Sequence, residues 1–275
     1  MGNFVIAGDF FAYETDDAHF TVYTEDDSYP KENVGDYWFL KKQWRATGAT
    51  ENQWYLKFDF GAATYQPLAA VFLNDVNFDK VMIEGHASDS WGAPSFQQTF
   101  AVSKDLRVNR HKAYCSLTTD GGFDYQWMRI VMPTGATVTE AFASGGTAWR
   151  IGTVAILTTD TDKTIEFTVN PAYPYRYAAS QTFMDIVRAS GSKSRIGLGN
   201  NLYWSGDITF DLGMRGNEDE LWKVNALDIA QPVVFYENLG HTQHAYLATR
   251  DNAMSISMTA HNAIQTETVR FTEIV

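Results

Sequence analysis

"QWRATGATENQWYLKFDFG", residues 43–61, decides how this chain is read. From Trp54 onward the side chains alternate, with Trp54, Leu56, Phe58 and Phe60 on one side of an extended chain and Tyr55, Lys57 and Asp59 on the other. A period of two is how a strand offers one apolar face to a core, whereas a helix needs apolar residues three and four apart. The stretch therefore predicts a half-buried strand that places Trp54 in the core. The glycine at 61 ends it.

The same period recurs at Val81, Ile83 and Gly85 in "KVMIEGH", and at Met128, Ile130 and Met132. It returns at Ile165, Phe167 and Val169, at Ile208, Phe210 and Leu212, and at Met254, Ile256 and Met258. Turn formers separate these runs: "TTDGG" at 118–122, "SGG" at 144–146 and "TDTDK" at 159–163. An all-β protein is expected. One segment departs from the pattern. In "GNEDELWKVNALDIA", Asn217 suits an N-cap, acidic residues fill the first turn, and Trp222, Ala226 and Ile229 recur at helical spacing until Pro232. A single flanking helix is predicted over about 217–230.

A chain of 275 residues has room for one large domain or two medium ones, and two β-rich units are expected. Strand "WRIGTVAIL" at 149–157 reads as a closing strand, so the division falls at 1–160 and 161–275, each part a jelly-roll-like β-sandwich. "RASGSKSRIGLGNN" at 188–201 reads as a flexible hairpin loop, because its glycines miss the spacing of phosphate-binding loops.

With 21 Lys and Arg against 33 Asp and Glu, the net charge of −12 repels a phosphate backbone, which argues against nucleic-acid binding. The start "MGNFVIAGDFFAYETDD" lacks a basic leader region, so a secretory signal is not expected, and no apolar run is long enough to span a membrane. One cysteine, Cys115, has no partner for an internal disulfide, as in proteins that mature in a reducing compartment, and reads as a partly buried structural residue.

No catalytic constellation emerges, and no enzymatic activity, cofactor or metal is expected. His241 and His244 form a close pair with no third ligand in sight. His86 beside Glu84 reads as outward polar decoration of a strand, and the runs Asp16–Asp17, Asp26–Asp27 and Glu218–Glu220 as charged surface. The aromatics beside loops are the more interesting group. Trp38, Trp91, Tyr203 and Trp204 are the candidate contacts for a glycan or a protein partner, since flat rings stack on sugar faces and anchor interfaces.

Two resemblances follow. Residues 35–85 resemble the front of a galactose-binding-like, discoidin-type β-sandwich, with Trp44, Trp54, Asp59, Gly61, Asn77 and Gly85 at matching positions. This implies that Trp44 supports the loops from beneath and that any ligand is held by loops at one end of the sandwich. The second half, with "RASGSKSR", the acidic helix, "PVVFY" and "AYL", is similar to tail-tip and baseplate components of tailed bacteriophages. That implies a virion part assembled in a host cytoplasm, with other tail proteins and a homo-oligomeric ring as partners. In such a role the apolar residues Phe4, Val5, Ile6, Phe10 and Phe11 form an assembly arm, because so apolar a run is costly to leave exposed. The alternative is a carbohydrate-binding module that recognises surface glycans, and a glycan hydrolase stands third.

Overall fold

The computed structural model describes residues 4–8, 10, 19–37, 42–47, 54–61, 67–118, 122–140, 148–167, 176–187, 193–210, 218–237, 240–260 and 263–274, with backbone alone for 176–202, 258–260 and 263–265. The fold is all-β, built from antiparallel sheets, with one α-helix among the described residues.

Three sheets stack. The outermost has five strands in the order Phe20–Val22, Tyr55–Asp59, Trp127–Val131, Lys80–His86 and Phe96–Ala101. It faces a four-stranded sheet ordered Thr153–Thr158, Leu68–Val76, Arg110–Ser116 and Ser103–Asp105. Between them lies the core of a sandwich: Leu56, Phe58, Ile83 and Ile130 meet Val71, Leu73, Cys115 and Ile156. Trp44 and Trp54 are both buried in it, and Trp149 stacks on Phe78 at 4.4 Å and tilts against Trp54 at 5.9 Å. The alternation read in residues 54–60 holds at every position.

The four-stranded sheet is covered on its other face too. Phe72, Tyr114, Ala155 and Leu157 pack against Val5, Val234, Tyr236 and Leu247 of a seven-stranded sheet. Double coverage is why Leu68–Val76 is apolar almost without interruption, where a half-exposed strand would alternate. The seven-stranded sheet runs Thr164–Glu166, Val5–Ala7, Val233–Tyr236, Ala245–Arg250, Val269–Glu273, Lys193–Ile208 and Arg176–Val187. Its far face carries Phe4, Ile6, Phe235 and Phe271, which pack with Leu221 and Val224 of the helix Glu218–Ala226.

Several expectations change here. The N-terminal strand Val5–Ala7 is inserted between Thr164–Glu166 and Val233–Tyr236, so the first residues of the expected 1–160 unit complete the sheet of the other half. Phe4, Val5 and Ile6 are at most 5% exposed, and their apolar surface is satisfied within the chain. They offer no free arm for assembly. Phe10 is half-buried against Tyr37, with ring centroids 5.1 Å apart, and Phe11 lies outside the described residues.

The helix also turns a different face to the core. Leu221 and Val224 are buried, while Trp222 and Ile229 are 54% and 43% exposed and Ala226 faces solvent. Both sets fit helical spacing, and the sheet selects the aliphatic pair. Arg250, on a neighbouring strand, donates to the Val224 and Leu227 carbonyls at 2.7 and 3.0 Å, capping the last turn from outside.

The segment 149–157 is two strands. Arg150–Ile151 pairs with Trp44–Arg45, whereas Thr153–Thr158 pairs with Leu68–Val76. Between them Gly152 N donates to the Asn74 and Asp75 carbonyls, each at 3.1 Å, and a Cβ there would lie 2.9 Å from the Asp75 Cβ. Only glycine fits so close an approach of backbone. Residues 193–201, read as loop, belong to the Lys193–Ile208 strand, where Gly197 pairs with Phe183.

Candidate functional site

Strand register assembles a chemically diverse row of side chains on the outer face of the five-stranded sheet. Thr21, Lys57, Arg129, Glu84 and Gln97 are consecutive cross-strand partners, one from each strand of the five-stranded sheet, so all five project from its outer face in a single row. Arg129 sits in the middle. Its Nε donates to Glu84 Oε2 at 2.9 Å and its second guanidinium nitrogen reaches the same oxygen at 2.5 Å, while Gln97 Nε2 donates to Glu84 Oε1 at 2.9 Å. Glu84 is thereby buried to 3% exposure without being left unpaired.

The loop after Lys80–His86 folds back over this row. His86 Nδ1 is bonded to the backbone of Ser88, with 3.0 Å to its N, which fixes the loop's departure. Asp89 then accepts from Lys57 Nζ at 2.7 Å and from Trp91 Nε1 at 2.5 Å. Burial pushes the Asp89 carboxyl up, and the bonds from Lys57 and Trp91 with the Arg129 charge outweigh it, leaving its pKa below the ordinary carboxylate range. The Trp91 indole ends with its centroid 4.3 Å from the Arg129 guanidinium carbon.

A ladder of flat groups results. Arg129 lies 5.5 Å from the Tyr55 ring on its other approach, and Tyr55 is 5.9 Å from the ring of Tyr23, itself 46% exposed. Lys57 Nζ is 5.3 Å from the Trp127 ring. Rings held by cation–π contacts and ion pairs lose little freedom when a ligand lands on them, which lowers the entropy cost of binding.

Of the four aromatic candidates read from the sequence, Trp91 belongs to this surface. Trp204 does not: it is fully buried, stacked on Tyr246 at 4.2 Å and on Phe235 at 5.2 Å, because its strand turns it into the core below the helix. Tyr203, its neighbour on the strand, is half-buried on the opposite face. Trp38 lies outside the described residues. Tyr23, Tyr55, Lys57, Arg129 and Trp127 were missed as site residues. Their signal was present, since the outward positions of "YLKFD" and "WMRIV" carry Tyr, Lys, Trp and Arg where an idle strand would carry Ser or Thr.

Among the described residues no group of three His, Cys, Asp or Glu side chains is arranged to hold a metal ion, and no helix is long and apolar enough to cross a membrane. The His241 and His244 rings lie 4.9 Å apart, and His244 Nδ1 is 3.5 Å from Glu237, a carboxylate that also pairs with Arg107 at 3.0 Å.

No known family model matches the chain, and no curated protein does. Among solved structures, the chain is similar to that of the CBM32-1, CBM32-2, and M60 catalytic domains from Clostridium perfringens ZmpB, at a TM-score of 0.36 and 7% identity. The alignment covers 100% of this chain and 39% of that one, so the chain spans well under half of its length. Fold and surface together define a multi-sheet β-sandwich protein with an aromatic, charge-balanced outer face.

Proposed function

We propose that this protein binds carbohydrate, without catalysis, on the outer face of the five-stranded sheet. The observation that carries the reading is the ladder Tyr23, Tyr55, Arg129 and Trp91, whose rings and guanidinium plane follow one another at 5.9, 5.5 and 4.3 Å. Sugar rings present one apolar C–H face that stacks on such planes, and a rim of hydroxyls that requires both donors and acceptors. Lys57, Gln97 and Asp89 supply both within reach of the ladder, oriented by bonds to one another and to the buried Glu84 beneath them. The resemblance to galactose-binding-like modules, which include glycan binders, points the same way. It implies loops at one end of the sandwich, and of the surface proposed here only the segment carrying Asp89 and Trp91 is a loop, the rest being sheet.

The test is a glycan array followed by calorimetry on the strongest hit. Trp91→Ala and Tyr23→Ala are each expected to weaken binding about tenfold or more, the scale of one lost aromatic anchor, with an unchanged circular dichroism spectrum. Retention of no glycan, or affinities indifferent to both substitutions, would overturn the proposal.

A further inference from the structure

A second site lies at the seam between the four-stranded and seven-stranded sheets, not on the five-stranded sheet that carries the aromatic ladder, and is independent of the reading above. A solvent-open cleft of about 600 Å³ is bounded by the ends of the inner strands Leu68–Val76 and Arg110–Ser116 of the four-stranded sheet, the strand Thr164–Glu166 and the first turn of the helix. That volume falls within the range of small-molecule pockets, which favour such boundaries between structural layers. Tyr114 and Tyr236 form one wall. Their rings stack at 3.9 Å and 17°, one contributed by each sheet.

Two independent features of the lining point to a ligand. The tyrosines are only 7% and 6% exposed, yet neither phenol hydroxyl has a hydrogen-bond partner among the described residues. Both hydroxyls open on the cleft, so a ligand that enters it meets two phenol donors that no neighbouring protein group already occupies. Burial, with Tyr236 and Glu166 alongside, drives the Tyr114 phenol far above its usual pKa, and it stays a neutral donor. Charge is the second feature. Glu166, Asp219 and Glu220 line the cleft against one cation, Lys223, whose ammonium is already held by Asp162 at 3.0 Å and the Thr161 hydroxyl at 3.1 Å. Glu166 and Asp219 have no ion-pair partner among the described residues. The rest of the wall is hydroxylic, including Ser116 and Thr118, whose oxygens lie 3.1 Å apart.

We propose that the cleft binds a small protonated amine that also carries hydroxyls, the chemistry of an amino sugar. Its ammonium is taken by Glu166 and Asp219, its hydroxyls by the tyrosine and threonine oxygens, and a ring face by the tyrosine wall. Charge-assisted bonds give the carboxylates most of the discrimination.

The experiment is calorimetry of the full chain with the β-linked glucosamine disaccharide and its N-acetylated counterpart at low ionic strength. The free amine is expected to bind and the neutral acetylated sugar to bind at least about tenfold more weakly, as loss of a charge-assisted bond requires. A Glu166→Gln, Asp219→Asn double variant, both side chains being exposed and safe for folding, is expected to lose that preference. Trp91→Ala is expected to leave it intact. Equal affinity for the two sugars, no binding of the amine, a double variant that still prefers the amine, or loss of the amine's binding in Trp91→Ala would each overturn the proposal. The Trp91 arm separates failure here from failure of the ladder site.

Discussion

Lys112 Nζ lies 3.3 Å from Glu273 Oε1, although 161 residues separate them along the chain. The same ammonium is 3.3 Å from Asp105 Oδ2 and 3.8 Å from the Tyr246 ring centroid, and the lysine side chain is wholly buried. Arg110 comes within 3.4 Å of Glu273, and Arg107 bridges Asp105 to Glu237 at 3.3 and 3.0 Å. Ion pairs thus join the four-stranded sheet to the seven-stranded one, beside the Tyr114–Tyr236 stack.

Removing one partner of a buried ion cluster leaves the others charged and dry. Burial already draws the Lys112 ammonium below the usual lysine range, against the pull of Glu273 and Asp105. Lys112→Ala removes the buried cation that Glu273 and Asp105 share, leaving them only the pairs with Arg110 and Arg107, and an unfolding free energy lower by about 3–5 kcal/mol is expected in urea titration. Lys112→Met should fall in the same range, since lost charge and not lost volume is the cause.

Asp105 makes part of this stability pH-dependent. Burial raises its pKa, but the charges of Lys112 and Arg107, with hydrogen bonds from the Arg107 backbone and the Tyr246 hydroxyl, outweigh burial and hold it below the ordinary value. A carboxyl that is a stronger acid when folded contributes stability above its unfolded pKa of about 3.9, and the contribution disappears as pH falls through the folded value. Denaturant midpoints should therefore hold steady down to about pH 4 and drop below it. In Asp105→Asn that acid drop should be shallower, from a lower plateau.

Asn77 joins three segments. Its amide nitrogen donates to the Glu140 and Ala148 carbonyls at 3.2 and 2.9 Å, and its oxygen accepts from Arg150 N at 2.8 Å. Asn77→Ala orphans three backbone groups around a fully buried site, with an expected loss of about 3 kcal/mol by thermal or chemical unfolding. Asn77→Asp should be no better, because a carboxylate has no proton to give the two carbonyls.

Gly85 owes its identity to neighbours and not to backbone angles. A Cβ there would sit 2.6 Å from Phe123 and 2.7 Å from Tyr125 ring carbons, so Gly85→Ala must displace packed aromatics and should cost about 1–3 kcal/mol. Gly92→Ala meets nothing within 4 Å and serves as the control, with an unchanged melting temperature.

Much of the fold could be read from periodicity. Residues 54–60, 81–85 and 128–132 each bury the positions their alternation names, because a strand with one wet face has only one way to place its apolar side chains. Asn77 and Gly85, identified through the galactose-binding-like pattern, occupy a buried corner and a crowded contact that other residues would not fill. Cys115 reads as structural from its isolation in the sequence, and burial pushes its thiol pKa up as expected of an inert core residue. Trp91 could be picked out because it stands in a polar loop.

What the sequence by itself determined is local: strand against helix, inward against outward, and a helix after residue 217. Everything that depends on which elements meet was decided by the tertiary structure. Val5–Ala7 is an apolar triplet in any reading, and only the gap between Thr164–Glu166 and Val233–Tyr236 makes it an interior strand instead of a free arm. Trp204 and Trp91 are both tryptophans beside polar residues. One is walled in by Phe235 and Tyr246, and the other is laid over Arg129 by its loop. The helix face, the ion cluster, the aromatic ladder and the seam cleft share one physical cause. Each is made by side chains tens to more than a hundred residues apart, whose proximity is fixed by sheet register and sheet stacking, and neither has a period that a sequence can show.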